Sequence, residues 1–182
     1  PILQAWGMTE TSPVASSGVL PKRYEDADDE TKADVRARAG IPLFGVEARI
    51  VDADTLEPQP WDDTATGELQ VRGNWCAKDY YNPDAGVELT TADGWMKTGD
   101  VAAMSRDGSI RIADRTKDLI KSGGEWISSI DMENLLTSHP AITEAAVVGL
   151  PHPKWQERPY VQVMLRPGAT ITLAEVHEHL SG

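Results

Sequence analysis

Asp114-Arg115-Thr116-Lys117-Asp118-Leu119-Ile120-Lys121-Ser122-Gly123-Gly124-Glu125-Trp126-Ile127-Ser128 places opposite charges and paired glycines between two apolar segments of different periodicity. Ahead of it, Val101–Met104 and Ser109–Ala113 alternate like strands around Arg106-Asp107-Gly108, and an Asp-Gly pair that tolerates positive φ predicts a hairpin there. Behind it the pattern turns helical. Ser128-Ser129-Ile130-Asp131 predicts a capped helix to about Ser138, ended by His139-Pro140. Ala145–Leu150 and Tyr160–Leu165 follow as strands separated by a Pro-rich, charged loop, and Thr172 with Glu175 opens a second capped helix, Leu173–Leu180. The stretch therefore marks a junction near Thr116, with a β-rich part over 1–116 and a small α+β part over 117–182.

Further upstream, Val46–Val51 and Glu68–Arg72 alternate with a period of two between bends at Gly67 and Gly73, which predicts two strands of one sheet. Asp29–Ala39, with Gly40 in the C′ position, predicts a short surface helix. Ser12–Leu20 is small and aperiodic, the composition of a loop near a ligand or an interface. Glu25–Glu30 is mostly acidic and predicts a solvated face. The expected class is mixed, α+β.

The 182 residues are 40% apolar, enough for a real core. A net charge of −12, with none of the 17 basic residues in a run longer than a pair, excludes a nucleic-acid surface. Cys76 is the single cysteine, which excludes an internal disulfide and suits a reducing, cytoplasmic setting; beside Trp75 it is expected to be a small apolar filler. His139, His152, His177 and His179 have no partners at metal-ligand spacing. No apolar run reaches the ~18 residues of a membrane span, and no signal-peptide layout is present. The sequence opens at Pro1 without methionine and stops at Gly182 beside a helical pattern, so both ends are expected to be cuts.

Arg115 and Lys117, bracketed by aspartates, suit a polyanionic or ribose-bearing ligand, and Gly123-Gly124 permits close approach to the backbone. The glycine pair lacks the Lys-Ser/Thr of a phosphate loop. Taken singly, each motif has a plain structural reading too. Thr9-Glu10-Thr11 is also what a turn cap looks like, Thr98-Gly99-Asp100 carries a common turn aspartate, and Ser122–Glu125 fits a bulged strand edge. Taken together and in this order, Trp6-Gly7-Met8-Thr9-Glu10-Thr11, Thr98-Gly99-Asp100 and Asp114–Ser128 resemble the adenylate-forming enzymes, which activate carboxylic acids with ATP.

The resemblance implies the β-rich end of a large adenylation domain over 1–116, followed by a small mobile domain over 117–182. Trp6 and Gly7 would flank the nucleotide, Thr9 would contact phosphate, and Glu10 would help hold Mg²⁺, for which one carboxylate is chemically adequate. Asp100 would accept from both ribose hydroxyls, its two oxygens matching a vicinal diol, and Arg115 would also contact the nucleotide. Lys117 falls at the hinge about which the small domain rotates between adenylate and thioester formation. Ser122, Gly123, Gly124 and Glu125 would line the tunnel for the pantetheine arm of coenzyme A. Family members often carry Asp and Gly near the loop where this sequence has His152 and Gln156, so Trp155–Arg158 is left without an implied contact.

The wording of the first and third motifs is similar to bacterial medium- and long-chain fatty-acyl-CoA ligases and methylthiopropionate-CoA ligases. The implied activity is ATP-dependent conversion of a fatty or related acid to acyl-CoA, AMP and pyrophosphate. The family's phosphate loop, expected before Pro1, and its catalytic lysine, expected after Gly182, do not occur in these residues, which are therefore expected to be inactive alone. Two alternatives share the motifs: an adenylation domain that loads a carrier protein, and a non-catalytic nucleotide-binding or interaction module.

Overall fold

The computed structural model describes residues 3–82, 88–123 and 125–181, and for Glu125 the backbone alone. Two compact units emerge, 1–112 and 113–182. The division falls inside a strand, ahead of the Thr116 boundary expected from the sequence.

In the first unit, three two-residue strands, β1 (Ala5–Trp6), β2 (Ser16–Ser17) and β3 (Ile41–Pro42), form a small antiparallel sheet in that order. Part of the expected Ser12–Leu20 loop is thus paired. Between β2 and β3 runs α1 (Asp29–Ala37), whose N-terminus is capped by the Asp28 side chain accepting from Thr31 N–H at 2.7 Å. The helix stops short of the expected Ala39, with Arg38 extended at its end. Gly40 is therefore not its C′ residue. At φ +88°, Gly40 lies against β2, where a Cβ would come within 2.0 Å of the Ser17 carbonyl oxygen, so the glycine is needed for the backbone approach.

β4 (Val46–Val51) and β5 (Thr66–Gly73) pair antiparallel with Arg49 opposite Gln70. The sheet continues through β6 (Met96–Met104) to β7 (Ile110–Arg115) in the order β4-β5-β6-β7. Ile50, Leu69, Val71, Met96, Met104 and Ile110 form much of the core between these elements. The expected hairpin is present: Gly108 has φ +82°, and Asp107 accepts from Ser109 N–H at 2.9 Å. Trp95 fixes the turn ahead of β6, with the Arg49 and Arg72 guanidinium carbons 4.4 and 4.5 Å from its ring centre. Cys76 is half-buried against the core, and burial pushes its thiol pKa up, as befits a packing residue.

In the second unit, β8 (Ile120–Ser122) and β9 (Glu125–Ile127) pair antiparallel, α2 (Ser129–Ser138) follows, and β10 (Ile142–His152) and β11 (Gln156–Leu165) form a long hairpin before α3 (Leu173–Ser181). The sheet order is β10-β11-β8-β9. Both expected caps form. Ser128 accepts from Asp131 N–H at 3.1 Å, while Thr172 and Glu175 exchange bonds, Thr172 N–H to Glu175 at 2.7 Å and Glu175 N–H to the Thr172 hydroxyl at 3.3 Å.

The hairpin strands are longer than the sequence suggested, because Pro151 and Pro159 lie inside them, opposite Glu157 and Gly149. Pro151 is tolerated since β10 is an edge strand, and Pro159 because, among the described residues, β11 pairs with β8 only at Gln156. Gln156, Glu157 and Arg158, expected in a loop, therefore belong to β11. Ile120, Leu136, Ile142 and Val147 are the buried centre. Among the described residues, no helix is long and apolar enough to cross a membrane.

Candidate functional site

The first two motifs meet. Trp6 Nε1–H donates to Asp100 Oδ2 at 2.7 Å across a sequence separation of 94. Trp6 is half-buried on β1, its carbonyl accepting from Ala15 N–H at 2.9 Å. Asp100 is buried, 9% exposed. It is not on a loop but within β6, where Thr98-Gly99-Asp100 bulges opposite Leu69, between the pairs Gln70–Lys97 and Glu68–Val101. Thr98 closes the bulge by donating from its hydroxyl to Leu69 C=O at 2.7 Å and accepting from Asp100 N–H at 3.1 Å. Such bulges re-aim a side chain out of the regular alternation.

Thr9–Thr11 forms a 3-10 turn, so the plain structural reading holds for part of this motif. The residue that pins it is Thr11, fully buried, whose hydroxyl accepts from Met8 N–H at 2.8 Å and reaches Met8 C=O at 2.9 Å. Thr9 is exposed and Glu10 half-exposed. Glu10 is anchored through its backbone, which accepts from Ala77 N–H at 2.8 Å, and through Oε1, which accepts from the Tyr80 hydroxyl at 2.6 Å. That bond, helped by burial, pushes the Tyr80 phenol above its ordinary pKa. Gly7 is crowded, with Pro13 O 1.9 Å from where a Cβ would lie.

Glu10 suits a hard cation that brings its own ligands. Among the described residues, no three His, Cys, Asp or Glu side chains gather as a metal cage. A lone, half-exposed carboxylate is what Mg²⁺ uses when nucleotide phosphates and water complete its shell.

The stretch from Asp114 to Ser128 separates into distinct parts. Asp114, 1% exposed, is structural: Oδ2 accepts from Ser129 N–H at 2.7 Å and the Ser129 hydroxyl at 3.1 Å, and Oδ1 from Arg115 N–H at 2.7 Å. It joins the end of β7 to the first turn of α2. Arg115 and Lys117 are exposed at a turn closed by Asp118 N–H donating to Arg115 C=O at 2.9 Å. These residues belong to the second unit, Trp6, Gly7, Thr9, Glu10 and Asp100 to the first.

Ser122 is buried at the end of β8, opposite Glu125 of β9. Gly123 has φ +64°, and its N–H donates to Trp155 C=O at 3.0 Å. The Trp155 ring lies over it, 2.9 Å from where a Cβ would be, so both conformation and contact require glycine here. Glu157 accepts from Lys121 N–H at 2.9 Å, and Arg158 Nη1 donates to Ser122 Oγ at 3.4 Å. Gly124 and the Glu125 side chain, both expected in this group, lie outside the described residues.

Sequence reasoning missed Thr11, Tyr80, Asp114 and Trp155. The Ser-x-x-Asp cap did point at the first turn of α2, but nothing in the spelling of Asp114-Arg115 separates an acid that caps from one that binds. Tyr80 lies 70 residues from Glu10 and carries no local signal.

The chain matches the model of the AMP-binding enzymes over residues 1–81 and that of the AMP-binding enzyme C-terminal domain over residues 131–182. It is 46% identical over 180 residues to a long-chain-fatty-acid–CoA ligase of Thermus thermophilus, covering 98% of this chain and 33% of the relative. A 3-methylmercaptopropionyl-CoA ligase of Ruegeria pomeroyi is 42% identical over 182 residues, covering 99% and 33%. Among solved structures, ATP-bound MatB of Rhodopseudomonas palustris has a TM-score of 0.82 at 31% identity, covering 99% of this chain and 33% of that one. The o-succinylbenzoate CoA synthetase of Bacillus subtilis, in complex with its acyl-adenylate intermediate, has a TM-score of 0.80 at 31% identity, covering 100% and 34%. The chain thus spans about a third of the length of the curated relatives it matches.

Proposed function

Because the chain belongs to the AMP-binding enzyme family, we propose that the protein containing it is an acid–thiol ligase acting on a fatty or related carboxylic acid in the cytoplasm. The acid's oxygen displaces pyrophosphate from ATP to give an acyl-adenylate, and the thiol of coenzyme A then displaces AMP to give acyl-CoA. The observation that carries this reading is the Trp6–Asp100 contact, which draws an aromatic-Gly-x-Thr-Glu turn and a Thr-Gly-Asp bulge into one site. The relatives compared are named CoA ligases, which favours coenzyme A as the acceptor.

In this reading Asp100 accepts from the ribose hydroxyls, Trp6 and Gly7 flank the nucleotide, and Thr9 contacts phosphate. Glu10, oriented by Tyr80, holds Mg²⁺, which would neutralise phosphate charge during the displacement. Residues 1–116 are the end of the large adenylation domain and 117–182 the start of the small one. Arg115 serves the nucleotide, Lys117 is the pivot, and Ser122–Glu125 receive the pantetheine arm after the turn. A pyrophosphate-release assay on the intact protein, run over a panel of carboxylic acids with and without coenzyme A, tests the proposal. Acid-dependent pyrophosphate with thioester formed only when coenzyme A is present is the expected result; pyrophosphate release independent of every acid would defeat it.

A further inference from the structure

Glu10 and Tyr80 meet because residues 75–80 run beside the Thr9–Thr11 turn. Ser12 Oγ donates to Trp75 C=O at 3.1 Å, Trp75 Nε1–H to Val14 C=O at 3.3 Å, and Ala77 N–H to Glu10 C=O at 2.8 Å. Thr90 ties the same segment further along, its hydroxyl donating to Lys78 C=O at 3.1 Å. The phenol thus reaches Glu10 from a stitched segment, and at 2.6 Å its bond to the carboxylate is of the strong, charge-assisted kind. A Tyr hydroxyl donates one proton, so it engages Oε1, while Oε2 has no hydrogen-bond partner among the described residues. The two oxygens of Glu10 are therefore inequivalent.

That inequivalence bears on which cation the carboxylate suits. Ca²⁺ takes a large, loose shell and accepts both oxygens of one carboxylate, whereas Mg²⁺ demands a compact octahedron and uses a carboxylate alongside phosphate and water. Engaging both oxygens of Glu10 would weaken the phenol bond. Engaging Oε2 alone keeps it, and a hydrogen bond to the other oxygen holds a ligating carboxylate in place. We propose that Tyr80 is the positioning residue that sets metal selectivity: by holding Oε1 it leaves Glu10 a single ligand atom, which favours Mg²⁺ over Ca²⁺. The inference rests on the reading of Glu10 as the magnesium ligand.

The test uses calorimetry on the intact protein with α,β-methylene-ATP, whose bridging carbon blocks pyrophosphate release. For each metal it reads one ratio, the Kd of the nucleotide without metal divided by its Kd at saturating Mg²⁺ or Ca²⁺. The ratio cancels any change in contacts to the nucleotide itself. In the unaltered protein the Mg²⁺ ratio should exceed the Ca²⁺ ratio; equal ratios would overturn the proposal. Tyr80→Phe should cut the Mg²⁺ ratio about tenfold, the range for losing a partner that orients a metal ligand, and the Ca²⁺ ratio by less than about twofold. Replacing Tyr80 site-specifically by 4-aminophenylalanine restores a donor at the same place and should recover most of the Mg²⁺ ratio, which separates lost donation from disturbed folding. Glu10→Gln serves as the reference and should remove the advantage of Mg²⁺. If it does, and Tyr80→Phe lowers both ratios equally or neither, or the amino variant recovers nothing, Tyr80 is not the selecting residue. If Glu10→Gln leaves the Mg²⁺ ratio intact, Glu10 is not the metal ligand, and the inference falls with that reading.

Discussion

Replacing Asp114 should loosen α2 by an amount the geometry sets. Its carboxylate, 1% exposed, accepts from two groups of Ser129, itself 5% exposed, and from Arg115 N–H. Asp114→Ala leaves the Ser129 N–H without its acceptor at a buried helix start. Losing a cap costs ~0.5–2 kcal/mol, and losing hydrogen bonds to a charged group ~1.5–3 kcal/mol. These terms overlap, since one carboxylate makes both, so the net is about 3 kcal/mol. Asp114→Asn keeps the shape and one carbonyl acceptor for Ser129 N–H, losing the charge, and should cost about 1 kcal/mol. The measurement is amide hydrogen exchange along Asp131–Leu136, which reads the loosening of α2 where it happens. At tenfold per 1.4 kcal/mol, exchange there should quicken about 100-fold in the alanine variant and about fivefold in the asparagine variant. Unchanged exchange in the alanine variant, or equal damage from both, would refute the capping argument.

Three further outcomes follow from particular contacts. Gly123→Ala meets both the positive φ and the Trp155 ring, and should lower stability by ~1–3 kcal/mol; urea titration of the single and double variants should show Trp155→Ala recovering part of that loss, less than additively. The Tyr80 phenol has a raised folded-state pKa, so its contribution to stability is full below the ordinary tyrosine value near 10 and is lost as pH rises through the folded value. Tyr80→Phe should accordingly flatten the alkaline limb of a melting-temperature profile and leave its shape at neutral pH unchanged. Lys117→Pro, which locks φ at the proposed pivot, should slow thioester formation far more than adenylate formation in separate half-reaction assays; equal loss in both would remove Lys117 from that role.

Local chemistry was legible where one stretch of chain satisfies itself. Ser128 with Asp131, Thr172 with Glu175, and Asp107-Gly108 each formed the cap or turn their spelling predicts, because donor and acceptor lie within a few residues. The meander followed from period-two alternation, which reports a half-buried face directly. In the small sheet, β2 and β3 were invisible, since two residues carry no period. The full length of β10 and β11 was hidden by Pro151 and Pro159, whose penalty depends on whether their edge is paired, a tertiary fact.

At the site, the motifs were legible as words but not as geometry. Asp100, whose spelling also fits a turn aspartate, is on a strand bulge. Gly123 is covered by Trp155, a residue whose spelling showed only a loop. Tyr80 and Trp6 act across 70 and 94 residues of sequence, beyond the reach of any spacing rule.

The most direct measurement of the central claim follows an oxygen atom. With the intact protein, ATP, coenzyme A and a carboxylic acid labelled with oxygen-18 in its carboxyl group, an acyl-adenylate route leaves one labelled oxygen in the AMP released, because the acid's oxygen bonds to the α-phosphorus and stays there when the thiol takes the acyl group. Mass spectrometry of the AMP should show that single label. Unlabelled AMP, or label appearing in inorganic phosphate beside ADP, would contradict adenylation.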